Sequence, residues 1–271
     1  MKKIALIYLL SLGLLANAQL FETKYIILDK VHYQITYTQQ AIPDTNNPEN
    51  IRGGKMLLFI GDSISHYQSR NGYIVDTITR NFKTKEELQN YLNNPTVPYP
   101  ATAYQIYKHY PLDKLTFIEH NLDGTYKYTE ELTDLKWEIL PDTSVINDFR
   151  TQKAFCNYGG RIWEAWFCKD IPISDGPYKF NGLPGLIVKL NDSKNYYTYV
   201  LESIVVPSRN INIDIEDKDY INTTRKEFLK AQWVYRENIM NIVKEKGADN
   251  SAMERAARNM TKLNNPIELD R

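Results

Sequence analysis

The chain has 271 residues, with 33 Lys and Arg balanced by 33 Asp and Glu, four His, two Cys and 20 Tyr. Zero formal charge excludes binding driven by phosphate neutralisation, so no nucleic-acid partner is expected, and two Cys cannot frame a disulfide scaffold or a Cys₄ zinc site. At 42% apolar and 24% charged residues the composition is globular, and the excess of Tyr over 9 Phe favours pleated, half-buried surfaces.

Met1-Lys2-Lys3, the apolar run 4–15 and Ala16-Asn17-Ala18 form the three parts of a secretory signal peptide, residues 1–18. The run has 12 residues, whereas a membrane-spanning helix needs roughly 20. The expectation is a mature chain beginning at Gln19, exported and periplasmic, with no membrane span. Losing Lys2 and Lys3 leaves 31 basic against 33 acidic residues, a net charge of −2.

Residues 23–38 alternate, with Tyr25, Ile27, Val31, Tyr33, Ile35 and Tyr37 on one side. Sixteen residues at ~3.3 Å each would run ~50 Å, which predicts a curved strand or two strands broken near Asp29-Lys30. Residues 40–54 are polar and turn-rich, and 56–60 with 65–69 predict a hairpin. Thr84 followed by Glu87 caps a short helix. Strands are expected at 104–110, 115–120, 125–130 and 136–140, then at 152–158 and 161–168 around Gly159-Gly160. Two more are expected at 186–190 and 196–206. Residues 223–246 carry a helical stripe of Phe228, Leu229, Trp233, Ile239, Met240 and Val243, and a second helix is expected over 251–262. The predicted fold is mainly β (α+β): a curved antiparallel meander over 19–212, half-barrel in shape. A helical segment over 213–271 is expected to pack on it.

The string Gly182-Leu183-Pro184-Gly185-Leu186-Ile187 follows Gly159-Gly160-Arg161, Ala165-Trp166-Phe167, Asp170-Ile171-Pro172-Ile173 and Gly176-Pro177. In these residues the chain resembles the GLPGLI family, exported proteins of Bacteroidota named for that string. The resemblance extends to Asn265-Pro266-Ile267-Glu268-Leu269, and loosely to Ile60-Gly61, Ser69 and Asp76. It implies an envelope protein, from a family without an established activity, that accompanies an outer-membrane TonB-dependent transporter. The string itself holds no acid, base or nucleophile. Leu183-Pro184-Gly185-Leu186 predicts a type II turn steering a strand into the core. A sharper alternative makes residues 175–182 a rigid recognition surface. Arg161, Trp163, Glu164 and Trp166 are the candidate binding cluster, with Arg161 and Trp163 on one face of a strand and the other two opposite. The same residues can instead lock the sheet to the C-terminal segment.

A two-residue Gly159-Gly160 turn sets Cys156 opposite Trp163 and leaves Cys168 about 17 Å away, too far for a disulfide, whose Cα atoms lie within about 7 Å. The hairpin is the preferred reading, with both thiols free. Phe59-Ile60-Gly61-Asp62-Ser63 is similar to the nucleophile block of SGNH-type esterases. Those enzymes place a His near the C-terminus, and this chain has none after His120. Asp62-Ser63-Ile64 and Asp76-Thr77-Ile78 resemble O-glycosylation acceptors, which makes Ser63 and Thr77 candidate modification sites. The four His lack ligand spacing, so neither metal nor cofactor is expected. The preferred function is a non-enzymatic envelope protein. It would bind an apolar or aromatic-stacking small ligand, or a partner such as an outer-membrane transporter. An esterase-like hydrolase around Ser63 and an architectural subunit of an envelope complex are the competing readings.

Overall fold

The computed structural model describes residues 23–121, 124–132, 135–245, 258 and 260–270. The signal segment and most of the helix expected over 251–262 lie outside them. The strands are β1 (Tyr25–Lys30), β2 (Tyr33–Ala41), β3 (Arg52–Ile60), β4 (Ser65–Ser69), β5 (Tyr104–Lys108), β6 (Lys114–Asn121) and β7 (Gly124–Glu131). They continue as β8 (Glu138–Ile146), β9 (Phe149–Tyr158), β10 (Arg161–Cys168), β11 (Leu186–Asp192), β12 (Tyr197–Val205), β13 (Asn212–Glu216) and β14 (Ile221–Asn222). The helices are α1 (Arg70–Thr79), α2 (Lys85–Leu92) and α3 (Arg225–Glu245).

Twelve strands form one sheet in the order β14-β7-β6-β5-β4-β3-β2-β12-β11-β10-β9-β8. It consists of two antiparallel meanders, β2 to β7 and β8 to β12, sewn together where β2 pairs with β12. The short β14 alone runs parallel to its neighbour, β7. Chain length forces this sheet to curl. β7 and β8 stand ten places apart, or ~48 Å in a flat sheet at ~4.8 Å per strand. The connection from Glu131 to Glu138 spans at most ~25 Å at ~3.6 Å per residue. The half-barrel follows, open between its edges and not closed into a barrel.

Residues 23–38 form two strands broken at Val31 and His32, and they belong to different sheets. β1 pairs only with β13, making a two-stranded ribbon. All of β14 and all of β13 but Asn212 fall within the segment 213–271 expected to be helical, so that expectation is corrected there. The Gly159-Gly160 hairpin has the predicted register, Arg161 opposite Tyr158 and Trp163 opposite Cys156. Both glycines take positive φ (60° and 72°), as a two-residue hairpin turn that matches strand twist demands. Cys156 and Cys168 are free and buried, and burial pushes the Cys156 thiol up to about 12.

Both faces of the β2–β6 region are covered. Ile35, Tyr37, Met56, Leu58, Tyr67, Ile106 and Phe117 project to the concave side, where residues 171–185 and Phe228 of α3 pack on them. Leu57, Phe59, Tyr107 and Ile118 project to the convex side, against Ile213 and Ile215 of the ribbon and Tyr73 of α1. Helix α1 was not legible in sequence: Gly72, Ile74, Val75, Thr77, Ile78 and Thr79 are poor helix formers, and tertiary packing overrides them. Helix α2 carries the predicted capping box, Thr84 with Glu87. Helix α3 begins with the same device, the Glu227 N–H donating to Thr224 Oγ1 and the Thr224 N–H to Glu227 Oε2.

Candidate ligand-binding site

The glycine-rich string is a core element. No type II turn forms at 183–186. Instead the Gly185 N–H donates to the Leu183 carbonyl at 2.8 Å, and the Leu186 N–H donates to Ile171 at 3.1 Å. Gly185 has φ 151°, outside the range of a type II third position. The chain bends sharply about Pro184 and enters β11 against the end of β10. A Cβ on Gly185 would overlap the Cys168 carbonyl, so this position admits glycine alone. Leu183, Leu186 and Ile187 are buried, whereas Gly182 and Pro184 face solvent.

Residues 175–180 turn inward and fill the half-barrel, all six of them buried. They bring charge with them. Lys108 Nζ, on β5, pairs with Asp175 and donates to the carbonyls of Gly176 (2.8 Å) and Phe180 (3.0 Å). Lys179 Nζ reaches Glu130 Oε1 and Glu268 Oε1, each at 2.8 Å, and the Tyr128 hydroxyl at 2.9 Å. Burial works against ionisation of Glu268, but Lys179 and Arg225 outweigh it and hold the carboxyl below its ordinary value.

Of the predicted cluster, Arg161 and Trp163 face the concave side and Glu164 and Trp166 the convex side, as expected from alternation. Arg161 acts as a lock on the C-terminal segment. It pairs with Asp192 at 2.9 Å and donates to the Ile267 and Pro266 carbonyls and to Asn265 Oδ1. Trp163 is fully buried, its indole N–H donating to the Tyr158 carbonyl at 3.0 Å. Trp166 donates to Glu164 Oε1 at 2.9 Å and lies under the Lys153 ammonium.

Ser63 sits in an exposed turn. Its N–H and that of Ile64 both donate to Asp29 Oδ2, at 2.8 and 2.9 Å, and His32 Nε2 meets Asp62 Oδ1 at 2.6 Å. The backbone donors that an esterase would aim at an oxyanion are thus occupied by a carboxylate. The Thr77 hydroxyl lies within α1 and donates to the Tyr73 carbonyl at 2.7 Å. Among the described residues, no group of three or more His, Cys, Asp or Glu is placed to hold a metal ion.

What the sequence did not point to is a cavity of about 330 Å³ between the concave face, α3 and residues 263–268. Its walls are rings: Tyr104, Phe117, Tyr128, Tyr178, Tyr197 and Phe228. Its polar lining includes two residues of the sheet that bear on a ligand, Gln39 and Glu119. Gln39, on β2, is buried, and among the described residues its side-chain oxygen has no hydrogen-bond partner. Glu119, on β6, accepts from Gln232 Nε2 at 2.7 Å. Burial pushes its carboxyl up to about 7, against the opposing effects of Gln232 and Arg236. The alternation Leu115, Phe117, Glu119 along β6 is the one sequence signal that could have found it, a carboxylate at an inward-facing position. Arg52 and Arg236 also line the cavity.

The Glu119 shift makes stability depend on pH. An ordinary Glu ionises near 4.5 in the unfolded chain and this one near 7 when folded. Its contribution is therefore complete below pH 4.5 and is lost as the pH climbs to about 7, ~3 kcal/mol in all. Glu119→Gln is expected to raise the denaturation midpoint at pH 8 and to leave it unchanged at pH 4. Equal effects at both pH values would contradict the shift.

Residues 127–189 match the model of a family described as "Protein of unknown function (Porph_ging)". The match takes in the inward loop, the Arg161 hairpin and the string 182–187, under a quarter of the chain. No curated protein matches the sequence. Two solved structures are similar in part, "Structure of PNGF-II in P21 space group" and "Structure of PNGF-II in C2 space group". They are 13% and 14% identical, each covering 76% of this chain with a TM-score of 0.46. The chain spans about a third of their length, 34% and 33%.

Proposed function

We propose that this protein is a non-catalytic ligand carrier or sensor of the cell envelope, and that the concave cavity is its site. The observation that carries the reading is the pairing of a ring-lined cavity with the buried, unpartnered oxygen of Gln39 inside it. Ligand pockets combine an apolar wall with a few convergent polar groups, and about 330 Å³ lies at the small end of their ~300–1,000 Å³ range. The occupant is a compact aromatic or apolar molecule bearing one hydrogen-bonding or anionic group. Gln39 and a protonated Glu119 would meet that group within, or Arg52 at the wall. The signal-like sequence of residues 1–18 and the string 182–187 are what support an envelope role, as in the GLPGLI proteins that the chain resembles, beside an outer-membrane transporter. Sequencing the N-terminus of the native protein tests export, with Gln19 as the expected first residue.

Anilinonaphthalene sulfonate, a fused ring with one anionic group, is a direct probe. It is expected to fluoresce on binding the native protein at a one-to-one ratio. Ala103 lines the cavity at an exposed position, and Ala103→Trp is expected to weaken binding about tenfold or more without lowering stability. Undiminished binding by this variant, or none by the native protein, would remove the cavity as the site.

A further inference from the structure

The convex side holds a separate pocket of about 280 Å³. Its floor is His66 and Gln68 of β4 with Gln105 and Tyr107 of β5, α1 supplies Asp76 and its C-cap Arg80, and the ribbon supplies Tyr25, Asp214 and Glu216. We infer that this pocket is a second binding site, and that it takes an uncharged, hydroxyl-rich ligand of monosaccharide size.

The first support is an unmet hydrogen bond. His66 is 5% exposed and lines the pocket, and among the described residues its Nε2 has no hydrogen-bond partner. The polar side chain acting on the ring is Gln105, whose Oε1 already accepts from the Tyr107 hydroxyl. A buried polar atom left without a partner costs about 1–3 kcal/mol, so its presence needs an explanation. The ring is fixed in place, stacked on Tyr107 with centroids 4.1 Å apart and 8° between planes. It is neutral, because burial lowers its pKa to about 3. In a neutral imidazole Nε2 is a donor or an acceptor according to the tautomer, which suits a hydroxyl.

The second support is the state of the charges. Arg80 spans Asp76 and Asp214, reaching the latter at 2.9 Å, and Tyr25 donates its hydroxyl to Asp76 at 2.6 Å. One guanidinium engages both carboxylates, so an incoming cation would have to displace Arg80 to coordinate either. Glu216 pairs with Lys218, so the carboxylates Asp76, Asp214 and Glu216 face three cations, Arg80, Arg209 and Lys218, and a ligand of either sign meets no uncompensated charge. What stays available is neutral: His66, the amides of Gln68 and Asn210, and the rings of Phe59 and Tyr73. At ~30 Å³ per water, the pocket equals about nine waters, room for one sugar ring.

The test uses saturation-transfer NMR and calorimetry with methyl glucoside and N-acetylglucosamine, and with glucosamine and glucose 6-phosphate as their charged counterparts. Both neutral sugars are expected to bind saturably, and the charged ones at least about tenfold more weakly. His66→Phe keeps the stacked ring and removes the nitrogen, and a loss of about tenfold or more is expected. Should that variant fail to fold, intermolecular NOEs in the unaltered protein decide. Contacts from sugar protons to the His66 and Tyr107 rings support the site, whereas contacts to Phe228 and Leu229 place the sugar in the concave cavity and overturn it. The inference also fails if neither neutral sugar binds, if the charged sugars bind as tightly, or if His66→Phe binds as well as the native protein.

Discussion

Lys108→Met is expected to destabilise the protein by about 3–5 kcal/mol, because it strands a carboxylate in the core. Lys108 is 1% exposed and satisfies Asp175 together with the carbonyls of Gly176 and Phe180. Burial lowers the Lys108 pKa while Asp175 opposes that drop, so the ammonium depends on its partner. Removing the lysine leaves Asp175 with the Gly176 N–H alone and strips two carbonyls of their donor inside the half-barrel. Lys108→Met combined with Asp175→Asn is expected to recover part of the loss, since the stranded charge is gone. Denaturant midpoints of the two single variants and the double variant supply the cycle. A cost below about 1 kcal/mol for Lys108→Met would place the pair with exposed ion pairs and would contradict its buried role.

Arg161→Ala is expected to cost a comparable ~3–5 kcal/mol, and its effect should be felt away from the substitution. The guanidinium holds Asp192 on β11 and three acceptors in residues 265–267. Asn265, Pro266 and Ile267 also line the concave cavity. Losing the lock should open this segment to proteases in the native state and abolish binding of the naphthalene probe. Arg161→Lys keeps the charge but cannot fork to several acceptors, so an intermediate result is expected. Limited proteolysis with mass mapping checks this. An Arg161→Ala protein whose C-terminal segment stays protected would refute the lock.

The sequence spoke most clearly where a local rule met no competition. Gly159-Gly160 set the register of β9 and β10 because two positive-φ residues leave a hairpin little choice. Thr84 and Glu87 marked a helix start for a similar reason. Where long-range packing decides, the pattern misled or was silent. Residues 23–38 alternate smoothly, yet β1 leaves the main sheet to pair with β13 across most of the chain. Residues 175–180 have the look of an exposed loop, with Asp, Gly, Pro and Lys together. They are buried because Lys108, Glu130 and Glu268 arrive from three other places in the chain. The concave cavity has contributors from β2, β5, β6, α3 and residues 263–268, and no window of sequence contains it. The candidate cluster around Arg161 was found, but its chemistry is spent within the fold.

The Arg161 clamp also bears on how the chain reaches this state. It joins groups 104 positions apart, and Lys179 is tied to Glu268 across nearly as long an interval. Contacts between such distant positions form late, after the entropy of closing large loops has been overcome. The half-barrel therefore stays unsealed, with its ring-lined interior open, until residues 265–268 dock.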